Sequence, residues 1–386
     1  MARIREIVPS QQEIRPHKAE HAVTCQYKVI KDFDDKPLVH LSTFGSEQRE
    51  SHPKSSQSLQ LTLENAAELM NVFAEAFGFT WRPQRNQIEQ SDVEPTFADA
   101  TDELAARLYV PKAWLQECID LLRDRPQLIF YGPPGTGKTY LAKALAEHLS
   151  GTDNVKIVQF HPAYSYEDFF EGFRPVKSKE GQLGYHLHRG PLRQLADDAR
   201  DNPDTVYTLI IDEINRGNLA KIFGELYYLL EYRNECIDLL YSDGTESFSL
   251  PRNIAIIGTM NTADRSIALV DSAMRRRFAF KSLHPSDEPT RSILRNWLAA
   301  NGHSAIVADL VDILNDTIQD EDFKIGPSYF MRPAAITRRG MDLTWRTSII
   351  PLLQEYHFGD ANADVQKLYS LASIADRAMV DIDDIA

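Results

Sequence analysis

The chain has 386 residues, a formal net charge of -14 and three cysteines. That length admits two or three compact domains, and the ordinary apolar and charged fractions are enough to build buried cores. The acidic balance excludes a surface that binds nucleic acid all over and leaves room only for a local basic patch or pore, while Cys25, Cys118 and Cys236 make no CxxC pair, which fits a reducing compartment without a thiol metal site.

The opening MARIREIVPSQQEIR has no apolar run of the signal-peptide kind, and no stretch reaches the roughly 20 apolar residues of a membrane span. A cytoplasmic location without a membrane partner is expected. Residues 1–20 are polar and aperiodic and read as a mobile terminus. From Cys25 the runs CQYKVI, KPLVHLSTFG and SLQLTL predict a small antiparallel sheet. ENAAELMNVFAEAFGF then places Leu69, Val72, Phe73, Ala76 and Phe77 at helical spacing before Gly78. Residues 21–81 thus read as a sheet-plus-helix unit, a module for binding a target or a partner. Lys28, Lys31, Arg49 and Lys54 with Tyr27, Phe33 and Phe44 would suit a stacking and phosphate-binding face. Asp32, Asp34, Asp35, Glu47 and Glu50 lie among them, so a protein-docking or solvated surface is an equal reading.

Residues 82–104, rich in Pro, Gln, Asn and acids, read as a linker. A helix over about Ala113 to Arg123 leads into a nucleotide-binding domain, 105–284. There QLIFY, VKIVQF, YTLIIDE and IAIIGTMN are the continuous apolar runs of a parallel sheet covered on both faces. Residues 285–386 carry helical stripes in NWLAA, IVADLVDILNDTI and TWRTSIIPLLQEY and form an α-helical lid and tail.

Between a predicted strand and a predicted helix, Gly132, Pro133, Pro134, Gly135, Thr136, Gly137, Lys138 and Thr139 satisfy every fixed position of GxxxxGK[ST]. Glycines let the backbone N–H groups turn inward on a phosphate, and the following helix points its positive end at the same anion. Lys138 is assigned to the β- and γ-phosphates of ATP or GTP, the Thr139 hydroxyl to magnesium, and Tyr140 to the nucleotide-contacting set. Asp212 and Glu213 end a buried strand, Asp212 as the second metal contact and Glu213 as the base that polarises water. Asn261 ends the next strand, where its amide would orient the lytic water or cap a turn. Arg275, Arg276 and Arg277 close a predicted helix. Successive helical residues diverge by roughly 100°, so they cannot all face one phosphate. An arginine given in trans to a neighbour's nucleotide makes hydrolysis depend on assembly, and a homo-oligomer is expected.

The order GPPGTGKT, VQFHPAYSYEDFFEGFRP, IIDEINRGNLAKIFGEL, GTMNTADRS and AMRRRF resembles the McrB family, the AAA+ motor subunits of methylcytosine-dependent restriction systems. The resemblance covers about Leu121 to Asp360. It implies an AAA+ α/β sheet with a helical lid, here preceded by the small α+β unit. It makes Asn261 the sensor asparagine, places Asp264 in the same water-positioning loop, and likens Arg276 and Arg277 to the interface arginines. It further implies a hexameric ring, DNA as cargo and a nuclease in a separate subunit. The alternative is a nucleotide-gated scaffold, or a chaperone-like ATPase acting on a protein. The N-terminal unit weakly resembles the transcriptional-coactivator class of single-stranded DNA binders.

Three other features carry less. The aromatic stretch His161 to Arg189 is a partner-facing insertion or, by the simpler reading, a hairpin packed on the sheet. Asp322 and Lys324 form a DxK without the upstream acid a nuclease needs. Ser328 and Tyr329 fall where a lid meets the nucleotide, with Arg338, Arg339 and Arg346 as rival sensor arginines.

Overall fold

A computed structural model of the chain describes residues 2–4, 7, 25–31, 37–44, 55–77, 96–177, 183–241, 247–264, 272–359 and 364–381. Most of the stretch read as a mobile terminus, the linker up to residue 95, and Phe33, Arg49, Lys54 and the acids around them lie outside the described residues. The chain divides into two units, 1–88 and 89–386.

In the first unit, strands β1 (Ala2–Arg3), β2 (Cys25–Lys31), β3 (Pro37–Phe44) and β4 (Ser55–Leu61) lie in the order β1-β4-β3-β2, with β1 parallel to β4 and the other pairs antiparallel. Helix α1 (Leu63–Phe77) starts where the Thr62 hydroxyl accepts the Asn65 N–H at 3.3 Å. Leu38 and Leu61 are buried, while Tyr27 and Val29 stand exposed on the edge strand β2. Strand residues alternate between faces, so Tyr27 and Lys31 share one side of β2 and Lys28 lies on the other. They cannot line a single face together.

The second unit begins with α2 (Asp102–Leu108), whose Thr101 hydroxyl caps Leu104 N–H at 3.2 Å. This helix starts inside the stretch read as linker; its seven residues are too few to develop a visible period. Then follow α3 (Lys112–Asp124), β5 (Gln127–Gly132), α4 (Lys138–Ser150), β6 (Val155–Gln159), the short α5 (Tyr166–Phe169), the hairpin β7 (Glu171–Lys177) and β8 (Leu183–Arg189), α6 (Pro191–Asp201) and β9 (Tyr207–Asp212). After α7 (Leu219–Phe223), α8 (Leu226–Glu231) and the small pair β10 (Ile237–Asp238) and β11 (Ser247–Phe248) come β12 (Ile254–Asn261), α9 (Ser272–Arg277) and β13 (Ala279–Ser282).

The main sheet is parallel throughout, in the order β13-β5-β12-β9-β6. Its three central strands are the apolar runs, and Ile129, Phe130, Leu209, Ile210, Ile256 and Ile257 are fully buried. VKIVQF was expected to be covered on both faces, but it forms edge strand β6 and Ile157 is half exposed. The other edge, β13, escaped the sequence reading: AFKS is short and half polar, as an edge strand permits.

Lid helices α10 (Thr290–Ala300), α11 (Ile306–Thr317), α12 (Arg338–Thr344), α13 (Ile350–Tyr356), α14 (Val365–Tyr369) and α15 (Leu371–Ala378) enclose a core of their own around Leu310, Leu314, Phe330, Met341, Trp345 and Ile374. A π turn, Trp345–Ile349, joins α12 to α13 just before Pro351, which has no N–H to donate to a regular ladder. Among the described residues no helix is long and apolar enough to cross a membrane.

The aromatic insertion divides in two. Tyr166, Phe169 and Phe170 are buried in the core beside the sheet, whereas Phe173, Val176, Leu183 and Tyr185 of the hairpin stand exposed.

Candidate nucleotide site

Three neighbouring strands of the sheet deliver the motif residues to one edge. β5 ends at Gly132, β9 at Asp212 and β12 at Asn261, with Asn261 directly opposite Gly132. The carboxyl end of a parallel sheet is where such folds bind ligands, because the loops there leave backbone N–H groups and helix N-termini without partners.

The loop after β5 curls under α4. Gly137 caps that helix at φ 85°, a left-handed backbone that any other residue would adopt at a cost. Lys138 Nζ donates to the Gly132 carbonyl at 2.9 Å and to the Pro133 carbonyl at 2.7 Å. Burial pushes its ammonium down to about 8, against the pull of Glu213 and Asp212 upward. An anion at the helix N-terminus would relieve that cost.

Thr139 Oγ1 donates to Asp212 Oδ1 at 2.7 Å. The same oxygen accepts from Thr259 Oγ1 at 2.5 Å, and Thr259 Oγ1 accepts the Glu213 N–H at 3.2 Å. Thr259 of the adjacent strand, which the sequence reading missed, thus ties the Asp212 carboxylate to the Glu213 backbone. Glu213 has a left-handed backbone, φ 52°, and heads the 3-10 turn Ile214–Arg216. Its Oε2 is buried and accepts no hydrogen bond among the described residues, with Arg216 Nε 3.4 Å away.

The loop after β12 is tied to that turn. Asn215 Nδ2 donates to the Asn261 carbonyl at 3.2 Å, and Arg216 Nη2 pairs with Asp264 Oδ2 at 3.1 Å. The Asn261 side chain accepts the Ala263 N–H at 3.4 Å, the local turn bond that asparagine favours. Asn215 Oδ1 and Thr262 Oγ1 are buried beside it without a hydrogen-bond partner among the described residues.

The lid reaches the glycine loop directly. Gly326 N–H donates to the Pro134 carbonyl at 3.1 Å, and Ser328 N–H to the Gly135 carbonyl at 2.9 Å. A Cβ on Gly326 would lie 2.0 Å from the Gly135 carbonyl carbon, so glycine alone permits this approach. Between loop, α2 and lid opens a cavity of about 570 Å³, lined among others by Arg107, Tyr109, Tyr140, Trp297, Ser328 and Met331. Its size and mostly apolar walls with a few polar groups suit a small organic ligand. The arginine that lines it is Arg107, held by Glu147 at 3.0 Å, rather than Arg338, Arg339 or Arg346. Arg107 was invisible beforehand because α2 was.

The three arginines of α9 go different ways. Arg277 is mostly buried, paired with Glu231 at 3.0 Å and set over the Tyr227 ring. Arg275 lies over Phe280, and Arg276 is 72% exposed with Glu231 3.9 Å away. Lys324 of the DxK pair bonds Ser286 and Glu321, both at 2.8 Å.

These residues fit a magnesium-bound nucleoside triphosphate. The cradle sets a desolvated ammonium at the N-terminus of α4, and Thr139 and Asp212 are the oxygen donors a hard cation takes. No cluster of three or more His, Cys, Asp or Glu occurs among the described residues. Magnesium needs none, since it keeps waters and phosphate oxygens as its other ligands.

Residues 127–278 match the AAA domain of the dynein-related subfamily, and residues 306–364 match the McrB α-helical lid domain. The chain is 38% identical to the type IV methyl-directed restriction enzyme EcoKMcrB subunit of Escherichia coli (strain K12), over 66% of this chain and 58% of that protein. It is 28% identical to the type II restriction enzyme BsuMI component YdiS of Bacillus subtilis (strain 168), over 61% of this chain and 81% of the relative. The matched part thus spans little more than half the length of the Escherichia coli subunit. The chain thus carries an AAA domain of the dynein-related subfamily followed by an McrB α-helical lid domain, and in both it is similar to the McrB-like AAA+ proteins.

Proposed function

We propose that the chain is a magnesium-dependent nucleoside triphosphatase, with ATP favoured and GTP as its rival. The observation that carries this is the 2.7 Å bond between the Thr139 hydroxyl and Asp212, beside the ammonium of Lys138. Bound magnesium would neutralise the phosphate charge there. Lys138 draws on the β- and γ-phosphates, Glu213 takes a proton from the attacking water, and Asn261 and Asp264 border the water's position. Base and ribose occupy the cavity beside Tyr109 and Tyr140.

The site is completed by a neighbour in a ring, with the exposed Arg276 as the arginine offered across the interface; Arg277, expected beside it in that role, instead turns inward onto Glu231. A hexamer is the assembly that the family resemblance favours. The likeness to two restriction-enzyme components supports work on DNA in a restriction or antiphage complex in the cytoplasm, with the nuclease in a separate subunit. A protein cargo is the second reading, favoured by the exposed apolar side chains Phe173, Val176, Leu183 and Tyr185 on the hairpin.

The test is phosphate release from ATP and from GTP, each with and without magnesium, double-stranded DNA or an unfolded polypeptide. DNA stimulation supports the restriction reading and polypeptide stimulation the second. A chain that binds neither nucleotide sinks both.

A further inference from the structure

Glu213 must aim a carboxylate at a water molecule, yet little in its own strand holds that side chain. The residue lies past the end of β9 in a left-handed backbone, and its buried Oε2 accepts no hydrogen bond among the described residues. A glutamate has three rotatable side-chain bonds, so something outside it must set the direction. Among the described residues the cation paired with that oxygen is Arg216, with the Lys138 ammonium farther off. In a 3-10 turn, side chains three apart stack over one another, so the turn Ile214–Arg216, headed by Glu213, carries the guanidinium back over the carboxylate. The contact is Nε to Oε2 at 3.4 Å.

The other end of the same guanidinium pairs with Asp264 at 3.1 Å. Asp264 belongs to the loop after β12, whose Asn261 carbonyl is held by Asn215 at 3.2 Å. Ala263 of that loop packs against the lid core. Arg216 therefore spans two acids that come from different strands, and the second sits on a loop that leans on the lid.

We infer that Arg216 is a positioning residue for hydrolysis: it orients the Glu213 carboxylate, and Asp264 acts by anchoring Arg216. The inference rests on Glu213 being the base. A planar guanidinium can serve two carboxylates at fixed directions, whereas a lysine ammonium is a single point of charge. A misplacement near 1 Å of a reacting group costs about 100-fold in rate.

The experiment measures kcat and KM for ATP and GTP, nucleotide affinity and melting temperature in the full chain and in Glu213→Gln, Arg216→Ala, Arg216→Lys, Asp264→Asn and the Arg216→Ala/Asp264→Asn double variant. Arg216→Ala is expected to lower kcat about 100-fold with affinity and melting temperature near wild type. Arg216→Lys should restore little of it. Asp264→Asn should lower kcat in the same direction, and the double variant should be no slower than Arg216→Ala alone, because both changes break one linkage. A wild type that hydrolyses neither nucleotide, or a Glu213→Gln chain as fast as wild type, overturns the base assignment and this inference with it. Turnover that depends on Glu213 but survives Arg216→Ala overturns the inference alone. So do full rescue by lysine, multiplying losses in the double variant, and a kcat loss that follows lost affinity or stability.

Discussion

The glycine loop and the arginines of α9 are short polar segments at opposite ends of the sheet: the loop follows the carboxyl end of β5, and the arginines precede the amino end of β13, where Arg125 bonds the Arg276 carbonyl. Their bonds also go to different places. The loop is satisfied within its own chain: Lys138 bonds two carbonyls of the loop, Thr139 bonds Asp212, and the lid turn bonds Pro134 and Gly135. Of the arginines, Arg277 is absorbed by Glu231 and Tyr227, while Arg276 projects into solvent. One segment is a finished cradle and the other leaves a cation at the surface. The contrast separates what a single chain does alone from what needs a neighbour.

The largest effects should fall on the finished half. Glu213→Gln is expected to lower turnover about 1000-fold while nucleotide still binds, and Lys138→Ala to lose binding itself. Parallel assays of phosphate release and nucleotide affinity check the split; equal loss of affinity in both variants would erase it.

Next comes the contact between lid and loop. Gly326→Ala must displace the Gly135 peptide, at a cost of about 1–3 kcal/mol, and should lower both melting temperature and nucleotide affinity. Gly137→Ala meets no atom within 4 Å but pays for its positive φ, about 1–2 kcal/mol. Wild-type melting of Gly326→Ala would mean that the lid does not press on the loop.

A pH series sharpens the electrostatic side of the comparison. Without nucleotide, Lys138 loses its proton near pH 8, below its ordinary 10.5. Bound phosphate favours the charged form and raises that value, so binding takes up a proton above pH 8. Affinity should be flat with respect to this group below pH 8 and fall as pH rises past it, by up to about tenfold per unit. Unchanged affinity up to pH 9.5 would show that Lys138 stays charged there without a ligand.

The smallest effects should separate the arginines by stability. Arg277→Ala loses a pair and a ring contact, about 1 kcal/mol. Arg276→Ala should stay within about 0.5 kcal/mol of wild type by thermal melting while slowing hydrolysis in the assembled protein. A larger stability loss in Arg276→Ala than in Arg277→Ala would reverse this division.

Much of this was legible in the residues. Gly132 to Thr139 needs its glycines and its lysine in that order for a backbone to wrap a phosphate, so the loop announces itself. The runs that became β5, β9 and β12 are apolar enough to declare burial on both faces, and their polar ends mark the site edge. Arg216 was present in the string IIDEINRGN, three residues after Glu213, but only the 3-10 turn shows why that spacing matters.

By itself the sequence determined the local chemistry: a phosphate loop, strand-end carboxylates and a helical lid, because each depends on residues close together in the chain. The tertiary structure alone decided which distant groups meet. Thr259 bonds the Asp212 carboxylate and the Glu213 N–H because β12 lies beside β9, and Gly326 bonds the loop because the lid folds back across nearly 200 residues. Arg277 turns inward because Glu231 waits at the end of α8. Strand order and lid closure set those contacts, and neither leaves a period or a spacing in the chain to be read.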